Sequence, residues 1–302
     1  MPRVIMIFVD GVGIGRKSAA INPFFTTNVK TLKDLFGGSL PSLRDAYRST
    51  NLASLVPINA TLGVKGLPQS GTGQTTIMTG LNAPRIIGKH FGPYPYSTLR
   101  PLIERHNIFR HLHELGKSVL YVNAFPKRYF EHLAIKKNHI TATTLSWISS
   151  GFELNGLESL KNGESLSADI TGERWNALGF GDVPVLSLYD AGKRLVTLSS
   201  KVDFTFYEYF YTDHAGHAQS MEQAQSALLA LDGLMEGIVD TLDERTTLVV
   251  LTSDHGNIEN LSTRSHTRNP VPLLAVGLKH QQFVSSVKTL AQLKPAIMKL
   301  FQ

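Results

Sequence analysis

Three stretches of the chain place an aspartate beside glycine or histidine immediately after an apolar run. They read Phe8-Val9-Asp10-Gly11, Tyr211-Thr212-Asp213-His214-Ala215-Gly216-His217 and Thr252-Ser253-Asp254-His255-Gly256-Asn257. Carboxylates and imidazoles are ligands for divalent cations such as Mn2+ or Zn2+. The chain has 0 cysteines, so thiolate sites and disulfides are excluded. Asp213 and His217 stand four residues apart, a spacing that can chelate one ion if Gly216 permits a tight turn. Asp254 and His255 are adjacent, with opposed side-chain directions, and meet one ion only if the backbone turns near Gly256. His266 lies in Ser265-His266-Thr267-Arg268-Asn269-Pro270-Val271-Pro272, where the prolines fix the backbone that follows. Three aspartates, three histidines and one further oxygen fit two divalent ions.

The further oxygen is that of Ser70, in Gly66-Leu67-Pro68-Gln69-Ser70-Gly71-Thr72-Gly73. A cation beside a serine hydroxyl makes it a usable nucleophile. A second cation stabilises the charge on a phosphoryl group in flight. The small residues around Ser70 leave room for a phosphate to approach the backbone, and a helix starting near Gly73 would favour it with its N-terminus.

These residues need a scaffold that brings distant strand ends together. Residues 4–9 read as a buried strand followed by the glycine-rich turn 11–15. Residues 29–36 fit a short helix, 81–98 a loop, and 99–115 a helix stopped by Gly116. Residues 118–123, 204–211 and 246–252 read as further buried strands, the last two running into the aspartate motifs. Between them, 187–199 and 219–243 are helices; in the latter Leu228, Leu231, Leu234, Met235, Ile238, Val239 and Leu242 share a face. Residues 271–277 are expected at a sheet edge because Pro272 lacks an amide hydrogen, and 288–301 as the last helix. The alternation predicts an α/β fold, a mostly parallel central sheet sandwiched by helices. In such sheets ligands bind beyond the carboxyl ends of the strands. Residues 1–126 and 187–302 are assigned to this core, and 127–186 to a small insert or cap.

The totals narrow the function classes. A 302-residue chain with 42% hydrophobic and 18% charged residues is that of a globular protein with a sizeable core. The apolar run at 4–9 is too short for a leader or a membrane span, and cleavage there would remove Asp10; the chain is read as cytoplasmic, without a membrane partner. The net charge of +6 comes from scattered lysines and arginines. A mildly basic surface that draws in small phosphorylated metabolites accounts for it without nucleic acid. Gly11-Val12-Gly13-Ile14-Gly15 misses the dinucleotide fingerprint, since Arg16 stands where its last glycine would be. Oligomeric state is not legible.

The motifs resemble those of the alkaline phosphatase superfamily. The likeness is to its mutase branch, cofactor-independent phosphoglycerate mutase and phosphopentomutase, over about residues 1–82 and 187–277. The resemblance implies an alkaline phosphatase-like core with two metal sites. Asp10, Ser70, Asp254 and His255 would hold one ion, and Asp213, His217 and His266 the other. It also singles out Ser70 over Thr72 as the nucleophile, because the mutases carry it three residues before a Gly-His pair. Here that pair is Gly73-Gln74. The stretch available for a substrate-retaining cap is short, and the Ser/Cys-x-Pro-x-Arg motif of sulfatases is absent.

The reading is therefore a two-metal phosphoryl-transfer enzyme acting through a phosphoserine, a phosphomonoester hydrolase on a small phosphorylated metabolite. The alternatives are a phosphomutase on a sugar phosphate or phosphoglycerate-like substrate, and a non-catalytic binding protein on the same scaffold. Arg128, Lys127 and Lys89 are the candidate substrate contacts, with His90 and Arg100 beside them. Each reads equally well as part of a solvated face, as do His111 and His113. His214 is expected outside the ligand set.

Overall fold

The computed structural model describes residues 2–136 and 138–302. Seven strands form one sheet: β1 (Arg3–Val9), β2 (Arg48–Ser49), β3 (Ala53–Ile58), β4 (Val119–Tyr121), β5 (Phe204–Tyr209), β6 (Thr247–Thr252) and β7 (Val271–Gly277), in the spatial order β2-β3-β7-β6-β1-β5-β4. β1 pairs in parallel with both β5 and β6, and β4 in parallel with β5, so these four carboxyl ends open on the same side. The sheet becomes antiparallel from β7 outward.

β1 shows why a continuous apolar run is needed at the centre. Ile5, Ile7 and Val9 enter one core and Val4, Met6 and Phe8 the other. Side chains alternate across a strand, and here both faces are covered. On the first face lie the helices Leu188–Ser199 and Met221–Thr241; on the second lie Ser70–Thr79, Ile108–Glu114 and Ala142–Ser149. Gly192 and Gly237 let the first two helices touch: a Cβ on Gly237 would lie 2.0 Å from the Tyr189 carbonyl oxygen.

Several expected boundaries shift. β7 is interior, between β3 and β6, despite its proline. Pro272 faces Pro57 of β3, a pair in which neither residue has an amide hydrogen to offer, and β6 ends at Thr252, opposite Leu273. The missing donor therefore falls where no ladder bond is required. Residues 50–66 contain β3, whose short run of small and apolar residues has no clear period. The expected helix 99–115 breaks at Asn107 into Arg100–His106 and Ile108–Glu114; the Asn107 side chain caps the second by accepting from the Arg110 amide at 3.0 Å. The last helix starts later, as a 3-10 turn at Leu290–Gln292 leading into Leu293–Met298.

The segment 127–186 packs beside β4. It joins the chain just beyond β4 through single bridges of Asn123 to Leu166 and Ala124 to Asn155. Its residues Leu160, Trp175 and Val183 gather around Ala124 in a small core of their own. Among the described residues, no helix is long and apolar enough to cross a membrane.

Candidate metal centre

Asp10 continues β1 by one residue, its amide donating to the Tyr209 carbonyl at 2.9 Å. Asp254 and His255 follow the end of β6. The turn between them is fastened by Ser253, whose Oγ accepts from the Val12 amide and donates to the His255 carbonyl, both at 2.9 Å. Gly256 was expected to supply turning freedom. Its need is for space instead: a Cβ there would lie 2.3 Å from Glu259 Oε1 and from Thr267 Oγ1.

Ser70 is the first residue of the helix Ser70–Thr79, which starts three residues earlier than Gly73. Its Oγ lies 3.0 Å from His255 Nε2. The same nitrogen is 3.3 Å from Asp10 Oδ1 and 3.6 Å from Asp254 Oδ2. The glycines beside Ser70 are required by the protein itself. A Cβ on Gly71 would lie 2.2 Å from the Tyr94 carbonyl oxygen, and one on Gly73 would lie 2.7 Å from Asp254 Cβ. Gly73 thus lets the helix start press directly against the β6 turn, and Gly71 lets it press against the segment around Phe91 and Tyr94.

Asp213 and His217 form the second group with His266. They lie on one face of the helix Tyr211–Ala218, one turn apart, so a helix does what a tight turn at Gly216 was expected to do. Gly216 instead makes room for Asn257, whose side chain a Cβ there would meet at 2.6 Å. Asn257 Nδ2 in turn donates to Asp213 Oδ1 at 2.8 Å. His217 Nε2 is 3.2 Å from Asp213 Oδ2 and 3.2 Å from His266 Nε2. The rings of His266 and His255 stack at 3.6 Å, so the two groups share a wall.

The donor set fits two cations. His217 Nδ1 lies 2.8 Å from the Arg264 carbonyl and His266 Nδ1 lies 2.7 Å from the Pro68 carbonyl. Each carbonyl needs a donor, which puts a proton on both Nδ1 atoms and leaves both Nε2 lone pairs directed at one point. Asp254 is 0% exposed, and neither of its carboxylate oxygens has a hydrogen-bond partner. Asp10 Oδ1 and His255 Nδ1 are also buried without one. A buried charge left this way is costly unless paired.

The electrostatics agree. Burial and the Asp213 charge push Asp254 up to about 8. Burial, followed by the Asp254 and Asp213 charges, raises Asp10 well above the carboxylate range. Burial and the neighbouring His266 lower His255 to about 3. Against its own burial, Asp213 is held below the usual carboxylate range by its hydrogen bond to His217 and by His255. His217 goes the other way, raised by its hydrogen bond to Asp213. Crowded carboxylates beside imidazoles are the composition and charge that a cation site requires.

One organising residue escaped the sequence reading. Glu259 is 1% exposed, and its Oε2 accepts from the Gly13 amide at 3.0 Å and the Asn257 amide at 2.8 Å. Its Oε1 accepts from Thr267 Oγ1 and from Asn269 Nδ2. It therefore ties the β1 loop, the β6 turn and the His266 loop together. Its only signal in the chain was proximity, five residues after Asp254.

Of the candidate substrate contacts, Arg128 lines a cleft of about 460 Å³ at the carboxyl ends of β4 and β5, beside Phe210 and Tyr211. Lys127 faces solvent with Glu131 at 3.8 Å. Lys89 lies over the rings of Tyr96 and Phe91, at 5.0 and 5.6 Å. His90 packs near Gly66, and Arg100 opens the helix Arg100–His106. His214 packs on Phe210 and Tyr211 and takes no part in either group.

Residues 184–302 match the Metalloenzyme superfamily. The 2,3-bisphosphoglycerate-independent phosphoglycerate mutase of Acetivibrio thermocellus is 31% identical over 104 residues, 32% of this chain and 20% of that protein. The enzyme of the same name from Pseudomonas putida is 31% identical over 126 residues, 39% of this chain and 24% of that protein. The matched stretches thus span about a fifth to a quarter of those relatives. Whole-chain folds are similar to the alkaline phosphatase of the Antarctic bacterium TAB5 (TM-score 0.53, 13% identity, 99% of this chain and 98% of that one). The PH0037 protein of Pyrococcus horikoshii is similar as well, with TM-score 0.58, 13% identity and coverage of 99% of this chain and 96% of that one. The chain thus matches the Metalloenzyme superfamily over residues 184–302, is similar in sequence to phosphoglycerate mutases over about a third of its length, and has a fold similar to that of an alkaline phosphatase.

Proposed function

We propose that the protein transfers phosphoryl groups through a phosphoserine at Ser70, and that it is a phosphomonoester hydrolase on a small phosphorylated metabolite. The observation that carries this reading is the placement of Ser70. Its hydroxyl, on the first residue of a ten-residue helix, sits 3.0 Å from His255, whose ring stacks on His266 of the other group.

Asp10, Asp254 and His255, with Ser70, would hold one divalent ion, and Asp213, His217 and His266 the other. When bound, Mn2+ or Zn2+ ions supply the positive charge that favours the serine alkoxide and neutralises the phosphoryl oxygens. The protein's own residues do the rest. The helix start holds Ser70 Oγ 3.0 Å from His255 Nε2, and the first-turn amides of Ser70 and Gly71, which have no hydrogen-bond acceptor among the described residues, would be donors for a phosphate there. The Arg264 and Pro68 carbonyls fix the histidine tautomers, and Asn257 holds the Asp213 carboxylate in place.

In the first step the Ser70 Oγ–P bond forms, the ester P–O bond breaks and the leaving oxygen takes up a proton. In the second step water attacks phosphorus, the Oγ–P bond breaks and inorganic phosphate departs. A mutase differs only in the acceptor, a hydroxyl of the retained product in place of water. The relatives' names and the cleft beside the site favour that second reading; the short span of 127–186 and Gln74 in place of a histidine favour hydrolysis. Phosphate release from a panel of phosphomonoesters, by Mn2+- or Zn2+-loaded wild type and Ser70→Ala, tests the proposal. Full activity in Ser70→Ala would sink it.

A further inference from the structure

The cleft beside the candidate metal centre contains a buried carboxyl group that the proposed chemistry does not use. Glu208, on β5, is 7% exposed and sits at the cleft floor. Its backbone is clamped by Asn123, whose side chain donates to the Glu208 carbonyl and accepts from the Glu208 amide, both at 2.8 Å. Its Oε2 accepts from the Tyr121 hydroxyl and, at 2.9 Å, from Thr143 Oγ1. Two hydroxyls donating to one oxygen leave Oε1 as the atom available to the cleft.

Position links this carboxylate to the reaction. Glu208 pairs with Phe8, two residues before Asp10, and its side chain shares the sheet face of Phe8 and of the Ser70 helix. Phe210 and Tyr211, the latter two residues short of Asp213, also line the cleft. The cleft mouth carries Arg128 over the Phe180 ring and Arg174 over the Tyr211 ring, each at 5.1 Å, and neither makes an ion pair among the described residues. A plain apolar pocket needs no such floor. A carboxylate held by two donors, with one oxygen open, is a built acceptor for a hydrogen-bond donor on a ligand.

We propose that this cleft receives the leaving group of the phosphoester, and that Glu208 Oε1 selects leaving groups bearing a hydroxyl or ammonium hydrogen-bond donor. This rests on the phosphoryl-transfer reading above. Glu208 is thereby a specificity residue, with Tyr121 and Thr143 as its positioning residues. An ester of equal size that lacks the donor leaves the carboxylate desolvated and unpaired, so it is discriminated against.

The test compares glycerol phosphate, phosphoethanolamine and propyl phosphate with Mn2+-loaded wild type and Glu208→Gln. Wild type is expected to favour at least one donor-bearing ester over propyl phosphate by about tenfold or more in kcat/KM. The preferred partner tells hydroxyl from ammonium. Glu208→Gln is expected to lose that preference, because the rate on the donor-bearing ester falls relative to that on propyl phosphate. Equal wild-type rates on all three esters, or an equal fall on all three in the variant, would overturn the assignment. Calorimetric binding of the same esters to Mn2+-loaded Ser70→Ala separates the two readings. Donor-selective binding without phosphate release by wild type keeps the cleft and sinks the hydrolase. Turnover without selectivity keeps the hydrolase and sinks the cleft. Wild-type selectivity needs no variant, so a poorly folding Glu208→Gln does not remove the test.

Discussion

His217 and His266 point their Nε2 atoms at each other across 3.2 Å while a backbone carbonyl engages each Nδ1. Two lone pairs so placed repel unless a metal ion or a proton lies between them, and the hydrogen bond to Asp213 raises His217 above the ordinary imidazole value. Metal analysis of the purified protein is expected to give two ions per chain. His266→Ala and Asp213→Asn should each lower that to about one, and Asp254→Asn should remove the other ion. Two ions retained in all three variants would break the assignment of ligands.

Stripping the metal is expected to lower thermal stability, because Asp10 and Asp254 are then left crowded and unpaired in the core. Chelation followed by a melting scan should show a fall, restored by Mn2+ or Zn2+ and growing with ion concentration. A melting temperature indifferent to chelator would argue against both sites.

Gly73→Ala isolates the contact between the nucleophile helix and the β6 turn. Its Cβ would stand 2.7 Å from Asp254 Cβ, so one side must shift. The expected cost is about 1–3 kcal/mol in denaturant unfolding, with a large loss of activity. Wild-type stability and turnover in this variant would show the contact to be slack.

Glu259→Gln replaces an acceptor-only carboxylate with an amide that cannot satisfy all four of its donors. Metal affinity is expected to fall about 10- to 100-fold although no proposed ligand changes. Titration of metal-free protein with Mn2+ measures it, and unchanged affinity would confine Glu259 to a structural role.

Lys294 gives a pH signature away from the site. Burial lowers its ammonium to about 8, below the ordinary 10.5, even though Nζ donates to the His106 carbonyl at 2.6 Å. In the unfolded chain it stays protonated up to its ordinary value, so between about pH 8 and 10.5 the unfolded state binds more protons. Stability from this group therefore rises with pH across that window, and its penalty is complete below about 8. Stability curves of wild type and Lys294→Met should differ in slope between pH 8 and 10 and run parallel below pH 7. Parallel curves throughout would refute the shift.

The sequence by itself determined the central strands and the residues at their ends. Val4–Val9 is apolar at every position because both faces of β1 are covered, and that pattern is local. Asp10, Asp213 and Asp254 were legible because each follows such a run. Only the tertiary structure decided how they are held. The helix containing Asp213 and His217 is short and polar, and its stability comes from packing rather than propensity. Pro272 misled because the edge rule presumes a ladder bond at that position, and only the register with Pro57 and the end of β6 shows that none is needed. Glu259 and Glu208 gave no motif: Glu259 is defined by partners 2, 8, 10 and 246 residues away and Glu208 by partners 65 to 87 residues away, and the long separations become contacts only when the sheet closes.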